Sequence, residues 1–181
     1  MKKLIVIVFL LVGSVAHSQT QTKGRLEDPT GEVRLNFLNT ILLGSIELGY
    51  EHFIKNDQSI AVEFHFNDRF SYQSSKNGVD FNATAVLLSY NFYFAENETG
   101  SMYISPFFKY RFGDVTEDID NVVTTTNLNS GYLGLIAGYR WNYNNFAFGP
   151  FGSIARGFSD VVAEKYSPVE FKAGFNVGYR F

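Results

Sequence analysis

Between Val169 and Phe181 every odd-numbered residue is apolar or aromatic (Val169, Phe171, Ala173, Phe175, Val177, Tyr179, Phe181), and no even-numbered one is (Glu170, Lys172, Gly174, Asn176, Gly178, Arg180). A period of two is the mark of a β-strand, whose side chains leave alternately from its two faces. One face therefore meets an apolar medium and the other meets charge or water. The same alternation recurs upstream. Ser101–Phe112 sets Met102, Ile104, Pro106, Phe108, Tyr110 and Phe112 against Tyr103, Ser105, Phe107, Lys109 and Arg111. Gly131–Trp141 sets Leu133, Leu135, Ala137, Tyr139 and Trp141 against Tyr132, Gly134, Ile136, Gly138 and Arg140. Ser59–Arg69 opposes Ile60, Val62, Phe64 and Phe66 to Ala61, Glu63, His65 and Asn67, and Asp80–Phe94 opposes Val86, Leu88, Tyr90, Phe92 and Phe94 to Ala85, Leu87, Ser89, Asn91 and Tyr93. Glu32–Leu38 (Val33, Leu35, Phe37 against Arg34, Asn36), Ser45–Phe53 (Ile46, Leu48, Tyr50 against Glu47, Gly49, Glu51) and Phe146–Phe158 complete eight predicted strands.

The connections alternate in length. Lys55–Gln58, Glu96–Gly100 and Asn142–Asn145 read as short polar turns, whereas 71–79, 113–129 and 159–168 read as longer polar loops. In the first connection, Asn39–Gly44 holds Ile41, Leu42 and Leu43, and is read as a hairpin. An even number of long antiparallel strands, with short turns at one rim and long loops at the other, predicts an all-β fold: an eight-stranded antiparallel up-and-down transmembrane β-barrel.

Composition decides which face is outside. The 181 residues include 19 Phe and 11 Tyr, yet the mean hydropathy is −0.07. No apolar run is long enough for a spanning helix. The interior of an eight-stranded barrel is only wide enough to be filled by side chains or to hold one small ligand. Turned inward, the aromatic-rich face overfills that lumen and leaves the charges outside; turned outward, it makes a lipid-facing belt. Aromatics also flank the short turns (Phe53, Tyr93, Phe94, Tyr103, Tyr139, Trp141, Phe146, Tyr179, Phe181) and the loop ends (Phe70, Tyr72, Phe81, Phe112, Phe158, Tyr166), as two interfacial girdles would.

The start of the chain predicts the compartment. Lys2 and Lys3 precede an apolar stretch, Leu4–Val12, and Ala16 and Ser18 supply small residues before Gln19, the pattern of a secretory signal peptide cleaved near Ser18-Gln19. The expected organisation is a signal peptide at 1–18, a periplasmic tail at 19–31 and an outer-membrane barrel at 32–181. Removing two lysines and no acids leaves 13 basic and 18 acidic residues, a net charge of −5 that argues against a nucleic-acid partner. With no cysteine there is neither a disulfide nor a thiol for lipid attachment.

The signal sequence, the eight alternating strands and the ending Val177-Gly178-Tyr179-Arg180-Phe181 resemble the small outer-membrane barrels of Gram-negative bacteria, whose last strand ends in Phe. The resemblance implies that Tyr179 and Phe181 form a signal for the barrel assembly machinery, and that outer-membrane lipids surround the wall. Val33–Asn39 followed by Ile46–Glu51 is further similar to a Bacteroidota barrel family to which no agreed activity attaches.

The candidate site is the lumen. Arg34, Glu47, Glu51, Glu63, His65, Lys109, Arg111, Arg140, Glu170, Lys172 and Arg180 all fall on the inward face, where charges in a narrow space must pair. Phe107, Tyr93, Tyr103, Tyr132, Phe151 and Ile136 are expected to plug the space between them, leaving no cofactor or metal site. Enzyme chemistry rests on His52 and His65, which alone among the histidines lie beyond the signal peptide. Lipid A deacylases of this size place a Ser two residues after the catalytic His; here His65 is followed at that spacing by Asn67, so the pattern is broken. The acids Asp114, Glu117, Asp118 and Asp120 read as a solvated loop, with weak Ca²⁺ binding as the alternative. The β-prone run Val122–Thr126 suggests that strands extend beyond the membrane and offer an edge to a surface partner. The function expected is a structural or surface-interaction barrel, adhesion-like, with contacts through loops 71–79, 113–129 and 159–168. A small gated pore and a lipid A modifying enzyme are the alternatives.

Overall fold

The computed structural model describes residues 29–68, 79–97, 99–119, 122–165 and 167–181. The signal-peptide residues, most of the tail, the 71–78 part of the first long loop, and Phe70, Tyr72, Asp120 and Tyr166 lie outside the described residues. Nine strands and two short helices make up the described chain: β1 (Gly31–Asn36), α1 (Phe37–Leu43), β2 (Ile46–Lys55), β3 (Gln58–Phe66), β4 (Val79–Asn97), β5 (Gly100–Ile119), β6 (Val122–Asn127), β7 (Ser130–Tyr143), β8 (Phe146–Gly157), α2 (Asp160–Lys165) and β9 (Val169–Arg180).

Each strand pairs antiparallel with its neighbour, and β1 with β9 and β4 with β5 complete a ring. The ring has eight staves, because β6 and β7 run end to end along β5. β6 faces Asp114–Ile119, and β7 faces Gly100–Arg111. The closing seam is tied at the chain ends, where Thr30 and Gly31 amides donate to the Phe181 carbonyl at 2.9 and 3.0 Å. Closure leaves the barrel staves without a free edge, which is what a wall in hydrocarbon requires. Among the described residues no helix is long and apolar enough to cross a membrane, a statement that does not bear on strands.

Burial follows the alternation. Along β5, Ser101, Tyr103, Ser105, Phe107, Lys109 and Arg111 are buried, while Met102, Ile104, Phe108, Tyr110 and Phe112 are exposed. Three staves away, Phe171 and Val177 are exposed and Glu170 is buried. The barrel is therefore greasy outside and polar inside, the inverse of a water-soluble domain.

Four expectations need correction. The first connection is a helix and not a hairpin, and Leu38 belongs to it. Asn36 caps it by accepting from the Asn39 amide at 3.2 Å, and Gly44 ends it in the left-handed region (φ 64°) that a side chain would disfavour. The 113–129 segment is not an open loop: β5 continues to Ile119 and β6 returns beside it, so a β4–β5–β6 sheet projects past the barrel. Gly113 (φ 134°) stands where the stave passes into this projection, and a Cβ there would fall 2.0 Å from the Asn82 carbonyl oxygen. Within 159–168 the chain forms α2, whose Val162 packs with Ala83, Val115 and Leu128 in a buried apolar cluster at the base of the projection. Finally, Phe53, Tyr93 and Tyr103 are not girdle residues. Phe53 packs on Tyr93 inside the short-turn mouth (centroids 6.1 Å), and Tyr103 is 5% exposed, because strand parity outweighs nearness to a turn.

Candidate functional site: the charged lumen

The charges predicted to face inward do so, and they come together as two linked clusters. At the short-turn end, Arg140 of β7 reaches across the bore. Its Nη1 donates to Glu32 Oε2 at 3.1 Å, to Glu51 Oε2 at 3.0 Å and to the Tyr93 hydroxyl at 2.9 Å. Arg180 Nε donates to the same Glu32 oxygen at 2.9 Å. Arg34 bridges Glu51 (2.5 Å) and Glu63 (2.5 Å). Glu51 Oε1 accepts from the hydroxyls of Ser59 and Tyr93, so this carboxylate meets four different residues.

At the loop end, Arg111 donates to Asp68 (2.9 Å), to Glu170 (2.9 Å) and to the Tyr132 hydroxyl (2.6 Å). Lys109 lies 2.6 Å from Glu170 and 3.4 Å from Asp68. Lys172 lies 2.5 Å from Glu47, whose other oxygen accepts from Asn36 at 2.8 Å. His65 joins the two clusters: Nε2 sits 3.1 Å from Glu63, and Nδ1 sits 3.5 Å from the Lys172 ammonium. Nδ1 also lies 3.7 Å from Asp68 Oδ1, so each ring nitrogen faces a carboxylate.

Opposite this charged wall stands an aromatic one. Leu87, Tyr103, Phe107, Tyr132, Ile136 and Ala155 form a buried cluster on β4, β5, β7 and β8, flanked by Tyr93 and Phe151. Glycines make room for it. A Cβ on Gly134 would come within 2.6 Å of the Phe107 ring, on Gly138 within 2.7 Å of the Tyr103 ring, and on Gly174 within 2.5 Å of Phe151. On the charged side, a Cβ on Gly178 would fall 2.3 Å from Glu32 Oε1. Arginines span the two walls: Arg140 lies 5.3 Å from the Tyr103 ring centre, and Arg111 lies 4.8 Å from that of Tyr132.

Between His65, Phe107, Lys109, Glu170 and Lys172 a cavity of about 20 Å³ remains. That is room for about one water molecule. Among the described residues of the bore, Glu32, Glu47, Glu51, Glu63, Asp68 and Glu170 equal in number Arg34, Lys109, Arg111, Arg140, Lys172 and Arg180, so their formal charges cancel. Charges on the inner face also keep the staves from inverting, since a one-residue slip would carry them into lipid.

Two members of the network were not among the predicted residues. Glu32 shares parity with Arg34 but stands at the very start of its strand, where the alternation gives no run to read. Asp68 shares parity with the outward residues Phe64 and Phe66, yet it is fully buried. Asn67 before it has φ 56°, a left-handed kink that turns the next side chain inward. Apart from glycine, asparagine is among the residues that most readily take that conformation, and it was the only signal available. Asp114 and Glu117 stand on β5 opposite Asn127 and Thr124, and among the described residues no group of acids or histidines is arranged to hold a metal ion.

An antiparallel eight-stave ring, lipid-compatible outside and charge-paired within, defines the class of small outer-membrane β-barrels. The same fold is seen in the crystal structure of the N-terminal β-barrel domain of Pseudomonas aeruginosa OprF, at a TM-score of 0.51 and 14% identity over 83% of this chain and 95% of that one. The crystal structure of Ail, the attachment invasion locus protein of Yersinia pestis, matches at a TM-score of 0.48 and 14% identity, over 83% of this chain and 93% of that one. No protein-family model and no curated protein matches the sequence.

Proposed function

We propose that this chain is a non-enzymatic, integral barrel of a bacterial outer membrane, a sealed frame that carries a projecting sheet for contact at the cell surface. Residues 1–18 serve as its cleaved signal peptide and 19–31 lead into the barrel from the periplasm. Tyr179 and Phe181 present the last strand to the barrel assembly machinery, and the likeness of β1 and β2 to the Bacteroidota barrel family belongs to this reading. What supports it is the packing of the lumen, where paired charges and a buried aromatic cluster face each other and the cavity of about 20 Å³ beside His65 and Phe107 has room for about one water molecule. An ion path needs a continuous file of such spaces. The full chain reconstituted in planar bilayers is therefore expected to give no conductance steps; steady channel openings would sink the sealed reading in favour of a pore.

The histidines favour a non-enzymatic role. His65 is 2% exposed and held by Glu63 and Lys172 inside the bore, where no lipid headgroup reaches. His52 faces outward, but at the short-turn end, paired opposite Gly31 and Ile60. A base must lie within hydrogen-bond reach of its nucleophile and substrate, and neither histidine meets that condition toward a lipid in the outer leaflet.

For the surface role, β6 is the last strand of the sheet order, with Val123, Thr124 and Thr125 exposed. An edge strand beyond the membrane can extend its sheet onto an extended segment of a partner. Deleting Asp118–Asn127 is expected to abolish attachment of expressing cells to their target surface while the barrel still folds. Undiminished attachment by the deletion variant would exclude this edge as the contact.

A further inference from the structure

Four large apolar side chains stand together on the outside of α1. Phe37, Leu38, Ile41 and Leu42 are all exposed, the last two to 64% and 66%. At positions i, i+1, i+4 and i+5 they form one stripe of the helix. The opposite side faces the barrel: Asn39 is buried and donates to Glu47 at 3.2 Å, Leu43 one turn on is half-buried, and the Thr40 hydroxyl donates to the capping Asn36 carbonyl at 2.8 Å. A helix on a water-soluble protein is oriented the other way round, with its apolar stripe toward the core. The helix sequence, Phe-Leu-Asn-Thr-Ile-Leu-Leu, holds no charge.

The position of α1 gives that stripe a purpose. β1 has only six residues. At about 3.3 Å per residue and a tilt of roughly 40°, it climbs about 15 Å, well short of an apolar band about 25 Å tall. Its neighbours β2 and β9, with ten and twelve residues, reach about 25 and 30 Å by the same geometry. Pairing of β1 with β9 ends at Asn36 opposite Asn176, and β9 continues beyond it to Val169. α1 packs against β9 and β2, so it stands in the wall where the rest of β1 would be. The exposed side chains nearby, Ile46, Phe66 and Phe171, belong to the lipid-facing band of β2, β3 and β9.

We infer that α1 is a membrane-embedded segment: its apolar stripe lies among lipid acyl chains at the loop-side boundary of the membrane and closes the seam that the short β1 leaves between β9 and β2. The inference rests on the outer-membrane reading above. Acyl chains are the occupant because the stripe continues the lipid-facing band, lacks charge, and replaces strand wall at the height where hydrocarbon must be met. Its inner polar face, through Asn36 and Asn39, closes the loop end of the bore over Glu47.

The chain has no cysteine, so single introduced thiols take a label cleanly. The full chain carrying Leu42→Cys, Leu135→Cys or Thr124→Cys, each labelled with an environment-sensitive fluorophore, is refolded into phosphatidylcholine vesicles with lipids brominated either just below the headgroups or near the bilayer centre. Leu135 lies mid-strand on the outer face of β7, and Thr124 lies on the projecting β6. The expected result is blue-shifted emission at positions 42 and 135, with 42 quenched more by shallow bromines and 135 more by deep ones, and neither effect at 124. Emission at 42 that matches 124 while 135 is quenched overturns the assignment of α1 and leaves the membrane reading standing. A blue shift at 42 without bromine quenching places protein on the helix and overturns it equally. Absence of quenching at 135 overturns the membrane reading, and the α1 assignment with it.

Discussion

Glu51→Ala is expected to destabilise the barrel by about 3 kcal/mol, the lower end of the 3–5 kcal/mol typical when one partner of a buried ion pair is removed. Glu51 is fully buried and serves Arg34, Arg140, Ser59 and Tyr93 together. Its loss strands donors in a buried part of the bore. The lower end applies because neither arginine is left alone: Arg34 keeps Glu63 at 2.5 Å and Arg140 keeps Glu32 at 3.1 Å. The measurement is the temperature at which the folded band disappears on a heat-modifiable gel, or the urea midpoint in detergent micelles. Arg140→Ala alone should cost a similar amount, and the double variant should cost less than the two single losses added, because each substitution removes the same contact. Strict additivity would show that Glu51 and Arg140 act independently and would break the network into unrelated pairs.

The second large effect lies on the aromatic wall. Phe107→Ala is expected to cost about 3–5 kcal/mol, the usual range for truncating a buried aromatic. Phe107 is 6% exposed, packs among Leu87, Tyr103, Tyr132 and Ile136, and also borders the existing cavity. Removing its ring therefore enlarges a space that is already polar on one side by His65, Lys109 and Glu170, and water enters it. If the lumen is sealed as proposed, loss of stability should come with the first measurable ion leak through the bilayer-reconstituted chain, since the ring fills the bore beside the existing cavity. A variant that is destabilised yet still insulating would place the seal with Tyr103 and Arg140 at the short-turn mouth instead. The back of Phe107 rests on Gly134, so Gly134 cannot be enlarged to fill the void in the wild-type chain without meeting the ring.

Both effects follow from residues that strand periodicity alone assigned to the inner face. Alternation is legible because a strand's side chains must take turns, and the outward turns of these staves are mostly apolar or aromatic. Lys109, Arg111, Arg140, Glu170 and Lys172 were thus readable one by one. Their partners were not. Lys109 meets Glu170 across 61 positions of sequence and Arg140 meets Glu32 across 108, pairings set by how far each stave is staggered around the ring. Asp68 shows the limit from another side, since one left-handed residue at Asn67 reverses the parity on which the prediction depends.

The connections divide in the same way. The short turns were visible as polar clusters between apolar runs. α1 does not follow from strand alternation, which reads Asn39–Gly44 as a hairpin connection, although Asn36 and Gly44 stand at cap and stop positions and Phe37/Ile41 and Leu38/Leu42 keep helical spacing. A seven-residue helix is unstable by itself, so its formation depends on the barrel mouth that holds Asn36 and Asn39. The β propensity of Val122–Thr126 suggested strands extending past the barrel, while their pairing partner, β5 from Asp114 to Ile119, was read as loop and is set by the tertiary structure.

By itself the sequence determined the class of fold, the count of staves and the two faces of each, because those depend on period two and on the volume of an eight-stranded bore. The tertiary structure decided which charges pair, where the glycines yield space to rings, and that a helix replaces the end of β1. Those depend on stagger and closure, which bring together residues that no local pattern relates.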